Sequence, residues 1–167
     1  HYIGQSGCIT VDGIDDKADY EEVVRAFEIL GFSHEERTTL EQVLAAVLLL
    51  GNLDYEEDQH DSDKCGMTEA GEGILDHVAE LIGVPTSPLR TAILNKKVQR
   101  GGNRRASIAY RPYSVPEAVS VRDAFSKELY KRTFHAIVAK INTLVDVHSA
   151  GASSSKLRVI GMLDIFG

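Results

Sequence analysis

Apolar residues recur along much of this chain at the spacing of helices. Val23, Val24, Phe27 and Leu30 fall on one face and predict a helix over Asp19 to Leu30, stopped by Gly31. Before it, Gly4, Gly7 and Asp12-Gly13 punctuate an irregular opening segment. Ser33 and Glu36 form a capping box, each side chain able to take up the other's free backbone N–H, and start a second helix that runs to Leu50. Its last turns, Leu44 to Leu50, are apolar on every face and are expected to be buried, with Gly51 ending the helix. Asn52 to Glu57 suits a short strand, and the acidic stretch from Asp58 to Gly66 reads as an exposed loop. Ile74, Leu75, Val78, Leu81 and Ile82 predict a third helix over Glu69 to Ile82, stopped by Gly83. Thr86-Ser87-Pro88 opens a short fourth helix, where the missing N–H of Pro88 costs nothing.

The second half changes character. Gly101-Gly102-Asn103 marks a hairpin-like tip within residues 96–111. Ser114 and Glu117 form another capping box, with Pro116 in the first turn of a long helix to about Val145. Its apolar stripe is Phe125, Leu129, Phe134, Ile137, Val138, Ile141, Leu144 and Val145. A small-residue linker from His148 to Ser155 leads to Leu157–Leu163, apolar and β-rich, as in a strand covered on both faces. The fold class expected is an α-rich α/β arrangement: a helical subdomain, a short hairpin and a terminal strand. The chain opens on His1 and closes within an apolar run, so both ends are expected to be cut from a longer protein.

Composition narrows the function classes. The 167 residues are 43% hydrophobic and 26% charged, the balance of a folded domain rather than a disordered chain. A net charge of −7 argues against a nucleic-acid partner, so any anionic partner has to be met by a local basic patch. Cys8 and Cys65 have no CxxC or metal-ligand spacing, which fits a reducing compartment. The longest apolar run, Val43 to Leu50, is too short to span a bilayer, and no signal-peptide pattern opens the chain.

Two places carry candidate chemistry. The strand pattern ends in Asp164, with Gly167 three residues on. A carboxylate at the end of a buried strand can hold a magnesium-bound water, and a glycine amide can approach a terminal phosphate because no side chain blocks it. The same arrangement also occurs in strands that are merely core. No Gly-Lys pair exists in the chain, so it lacks the loop that grips a triphosphate. The second place is basic: Lys96, Lys97, Arg100, Arg104, Arg105 and Arg111 run without an acidic interruption. It reads either as a solvated hairpin or, with Tyr110, as a docking patch for an acidic protein surface. Ser107, behind Arg104-Arg105-Ala106, suits a basophilic kinase, and its phosphorylation would add about −1.5 to −2 charges. The acidic run at 54–63 lacks the glycine and terminal glutamate spacing of an EF-hand and reads as solvated, and the six histidines have no metal spacing.

In this order, the pieces resemble the myosin motor domain over nearly the whole length. Gln5-Ser6-Gly7-Cys8 with Val11 to Asp16 is similar to the segment that follows switch I in myosins. Ile29 to Ser33 and Leu44 to Asn52 resemble the next two helices of the upper 50 kDa subdomain. Ala118 to Asn142, with Arg122-Asp123-Ala124-Phe125-Ser126-Lys127, resembles the family's long helix, and Leu163-Asp164-Ile165-Phe166-Gly167 resembles switch II. The resemblance implies that residues 1–167 are a partial motor domain whose terminal strand belongs to the central sheet of a P-loop NTPase fold. It implies that Asp164 lies near magnesium, through a bound water, and Gly167 near the γ-phosphate of ATP. It implies that the loop at 54–68 is loop 4 and the hairpin at 98–113 the cardiomyopathy loop, both facing actin. Lys97, Arg100, Arg104, Arg105, Ser107, Tyr110 and Arg111 are the actin-binding candidates it implies. Ser107 lies sixteen residues before Asp123, the spacing of the family's TEDS position, which bears an acidic or phosphorylatable residue.

A Ser behind two Arg is similar to kinase-regulated class I motors. Phe125 and Ser126 depart from the Leu and Ala usual in the long-helix motif, so the resemblance is to a divergent, unconventional member, class I-like or protist. The implied parent is a cytoplasmic motor on the actin cytoskeleton that uses Mg2+ and ATP, with the remainder of the motor domain and calmodulin-like light chains as partners. The chain alone is expected to need neither cofactor and to hydrolyse no ATP. Two other readings stay open at this point: a helical interaction module with no nucleotide chemistry, and another P-loop motor or GTPase that shares Asp-x-x-Gly.

Overall fold

A computed structural model describes the backbone of residues 2–58, 61–100 and 107–146. Five helices and two antiparallel hairpins follow in the order α1 (Asp16–Ile29), α2 (His34–Leu50), β1 (Tyr55–Asp58), β2 (Asp61–Met67), α3 (Glu69–Leu81), α4 (Thr86–Leu94), β3 (Asn95–Arg100), β4 (Ser107–Pro112) and α5 (Val115–Asp146). β1 pairs with β2, and β3 with β4. The expected terminal strand at 157–163 lies outside the described residues.

Local chemistry accounts for most boundaries. Asp15 caps α1 by accepting from the N–H groups of Lys17 and Ala18, so the helix starts at Asp16, three residues before the expected Asp19. Glycines at positive φ follow α1 and α3, Gly31 at 70° and Gly83 at 68°, the left-handed turn that ends a helix at no steric cost. The capping box is formed at α2: Ser33 accepts from Glu36 N–H and Glu36 from Ser33 N–H. At α5, Glu117 accepts from the N–H of Ser114 at 3.0 Å.

The stretch expected as an acidic loop is instead mostly strand. Tyr55 faces Met67, Glu56 faces Gly66 and Glu57 faces Cys65 across the β1–β2 ladder. Polar composition hid it, because the pairing is satisfied by backbone groups while Glu56, Glu57, Asp58, Asp63 and Lys64 stay in water.

One core is assembled from Ala46 and Leu50 of α2, Leu53, Met67, Leu75, Val78 and Ala79 of α3, and Leu89, Ile93 and Leu94 of α4. Phe125 and Leu129 of α5 pack against it. Two burial expectations are corrected. Leu44 and Leu48 of α2 remain exposed, because α3 and α5 cover only part of the helix surface. On α5 the stripe is only half-buried at Phe125, Leu129, Ile137 and Ile141, whereas Phe134, Val138 and Leu144 face outward. α1 buries no residue at all and is tied to α2 by the Tyr20 hydroxyl donating to Glu41 at 2.6 Å.

Candidate functional site

The basic hairpin is built from a perfectly in-register ladder, Asn95 opposite Pro112 through to Arg100 opposite Ser107. Directly opposed residues share a face and faces alternate along each strand. Lys96 therefore lies across from Arg111 on one face, and Lys97 across from Tyr110 on the other. Tyr110 is 57% exposed and Ile108, on the same face, 60% exposed. Between this face and α4 runs an open cavity of about 610 Å³, lined in part by Lys97, Tyr110, Tyr113 and Thr91.

The base of the hairpin is firmly held. Tyr113 N–H donates to Leu94 O at 2.9 Å, and Cys65 N–H donates to Tyr113 O at 2.9 Å. The second bond joins the two hairpins, so the acidic β1–β2 pair and the basic β3–β4 pair are anchored to a common point. On the α5 side, Arg111 Nη2 donates to Glu117 Oε1 at 2.6 Å. The Ser114 N–H and then the Arg111 guanidinium hold the Glu117 carboxyl below its ordinary range.

Of the residues singled out from the sequence, Lys97, Tyr110 and Arg111 come together on this hairpin. Arg100 and Ser107 end its ladder as directly opposed positions, with only their backbone described. Arg104, Arg105, Asp164 and Gly167 lie outside the described residues. Among the described residues, no group of three or more His, Cys, Asp or Glu could hold a metal ion.

Sequence reasoning missed a second polar centre. Arg122, only 6% exposed, donates to Asp123 Oδ1 and to the carbonyl of Leu53 at 3.4 Å, and its guanidinium lies 5.9 Å from the Tyr2 ring centroid. The Tyr2 hydroxyl donates to Asp123 Oδ1 at 2.7 Å, and its oxygen lies within hydrogen-bond distance of the Ser126 hydroxyl at 3.2 Å. Burial opposes ionisation of Asp123, but the Tyr2 hydroxyl and Arg122 outweigh it and hold the carboxyl below its usual range. The signal was present: Ala118, Arg122 and Ser126 recur at a spacing of four on α5, which places an arginine between two small residues on one helix face.

This order of helices and hairpins can be compared with known proteins. The profile of the myosin head (motor domain) matches residues 1–167. The chain belongs to the myosin motor-domain family. It is 36% identical over 168 residues to Myosin-1 of Coprinopsis cinerea, a match covering 99% of this chain and 12% of that protein. It is 31% identical over 170 residues to Myosin IA heavy chain of Dictyostelium discoideum, covering 100% of this chain and 16% of that one. Myosin-5 of Candida albicans is 30% identical over 167 residues, covering 99% of this chain and 12% of its own length. The chain thus spans well under a fifth of each of these relatives. In myosin terms, the described structure is helix-rich with two small antiparallel hairpins, and no described helix is long and apolar enough to cross a membrane.

Proposed function

We propose that residues 1–167 are the part of an actin-based motor that presents a filament-facing hairpin and leads into the switch that senses the γ-phosphate. The observation that carries this reading is the basic β3–β4 hairpin, anchored on α5, in a chain matched over its whole length by the myosin motor domain. That whole-length match disfavours a helical interaction module without nucleotide chemistry.

In this reading the segment is the upper 50 kDa region of a cytoplasmic motor on the actin cytoskeleton. Lys97, Arg100, Arg104, Arg105 and Tyr110 contribute to the surface that meets actin, a filament whose acidic patches suit clustered cations. The acidic hairpin at 54–68 serves as loop 4. Asp164 would hold a magnesium-bound water and Gly167 would offer its amide to the γ-phosphate, the pair of groups by which this chain would sense that phosphate. MgATP supplies the phosphoanhydride whose cleavage drives the cycle. This chain has no Gly-Lys loop to grip the triphosphate, so its own residues sense the nucleotide rather than bind it alone. Light chains belong to the longer parent, outside these residues.

Ser107 is the regulatory position in this reading. A phosphate there would turn a cationic hairpin into one of mixed charge and alter how it docks. In the full-length motor, Ser107→Glu should raise actin-activated ATPase turnover several-fold over Ser107→Ala. Equal turnover in a steady-state assay across actin concentrations would remove Ser107 from regulation.

A further inference from the structure

Arg111 and Glu117 form a clip whose place in the ladder is informative. Lys96 and Arg111 stand directly opposite each other on one face of the hairpin, and like charges so placed repel. Glu117 relieves this by taking Arg111 with one carboxylate oxygen at 2.6 Å. Its other oxygen takes the N–H of Ser114 at 3.0 Å and the Ser114 hydroxyl at 3.5 Å, at the start of α5. One carboxylate therefore joins the last turn of β4 to the first turn of α5. Lys97 and Tyr110, on the opposite face, are directed away from this clip.

We infer that Glu117 and Arg111 are positioning residues, which set the angle at which the hairpin leaves α5, and that the docking face is the Lys97–Tyr110 side. Arg111 then acts within the chain rather than as a cation offered to a partner. The inference rests on the reading of the hairpin as filament-facing and deepens it by choosing the face. The ion pair is largely solvated, with side chains 48% and 42% exposed, so it adds little to overall stability and its loss leaves the fold standing.

The sign of one substitution separates positioning from simple charge. Glu117→Gln keeps an oxygen to cap α5 but removes the negative charge, making the hairpin more cationic. If charge alone governed docking, the KM for actin in the full-length motor would fall. Positioning requires the opposite, a rise of about threefold, within what a coupled surface pair can supply. Arg111→Gln should raise KM by the same factor, and the double variant by no more than either single one. A charge-only role instead places the double variant back near the wild type. Lys97→Gln is the control on the underlying reading: it should raise KM and flatten its dependence on salt. If Lys97→Gln leaves KM unchanged, the filament-facing assignment fails. If it raises KM while Glu117→Gln lowers it or leaves it unchanged, the positioning role alone is overturned.

Discussion

Arg122 is a charge placed where charges are expensive, and its partners explain how it is tolerated. Nε and Nη2 reach Asp123 Oδ1 at 3.0 and 2.9 Å, while Nη1 reaches the Leu53 carbonyl. Removing the guanidinium leaves Asp123 with the Tyr2 hydroxyl alone and takes the donor from the Leu53 carbonyl. We expect Arg122→Ala to cost about 2–4 kcal/mol, less than a fully buried pair because Asp123 is 37% exposed. Urea denaturation of the intact motor domain would check it, and a loss under 1 kcal/mol would contradict the account. Asp123 also sets a pH dependence. Its folded pKa is depressed, so its contribution is complete above the ordinary carboxylate value of about 3.9 and is lost as pH falls through the lower folded value. Asp123→Asn should therefore shrink the acid limb of a stability–pH curve. Glu36 and Glu117, depressed in the same direction, keep the limb from vanishing.

At the scale of elements, the β1–β2 hairpin and α3 meet with almost no space to spare. A Cβ added at Gly71 would lie 2.5 Å from the Asp54 carbonyl oxygen and 2.5 Å from Met67 Cγ. The carbonyl is backbone and cannot swing aside. Alanine would gain about 1 kcal/mol of helix propensity, yet steric overlap at a backbone contact wins. We expect Gly71→Ala to lower stability by about 1–3 kcal/mol, read as a drop in thermal midpoint. An unchanged midpoint would mean that β1 is not seated on α3 as described. Gly71 shows what could be read from residues alone and what could not. The helix around it follows from Ile74, Leu75 and Val78, and its cap from Thr68, which accepts from Gly71 N–H at 3.1 Å. That a β-hairpin would press on this turn could not be read, because β2 presents Asp61, Asp63 and Lys64, residues that favour water over any sheet. For the basic hairpin the opposite holds: Gly101-Gly102-Asn103 marked a hairpin-like tip within residues 96–111, and the ladder flanks it.

Across the whole molecule, much apolar surface is left uncovered. Ile3, Ile9 and Ile29 are 74%, 82% and 86% exposed, and Phe134 and Tyr130 stand out from α5. Exposed apolar side chains in such numbers mark surfaces suited to contact other protein. We expect purified residues 1–167 to bind a hydrophobic dye strongly and to show no saturable ATPase above background, since the chain has no Gly-Lys loop. Saturable turnover by the isolated chain would contradict this. The same surfaces explain why the apolar stripes of α2 and α5 overstated burial: periodicity tells which face is apolar, not what lies against it. What the residues determined unaided is local, since caps, glycine stops, helical periods and the basic run act over a few neighbours along the chain. The tertiary structure alone decided that Tyr2 meets Asp123, that Glu117 reaches back to Arg111 instead of only capping its helix, and that two hairpins of opposite charge share an anchor at Tyr113. Those contacts join segments far apart in sequence or across a turn, where packing and desolvation select the partner and no local propensity names it.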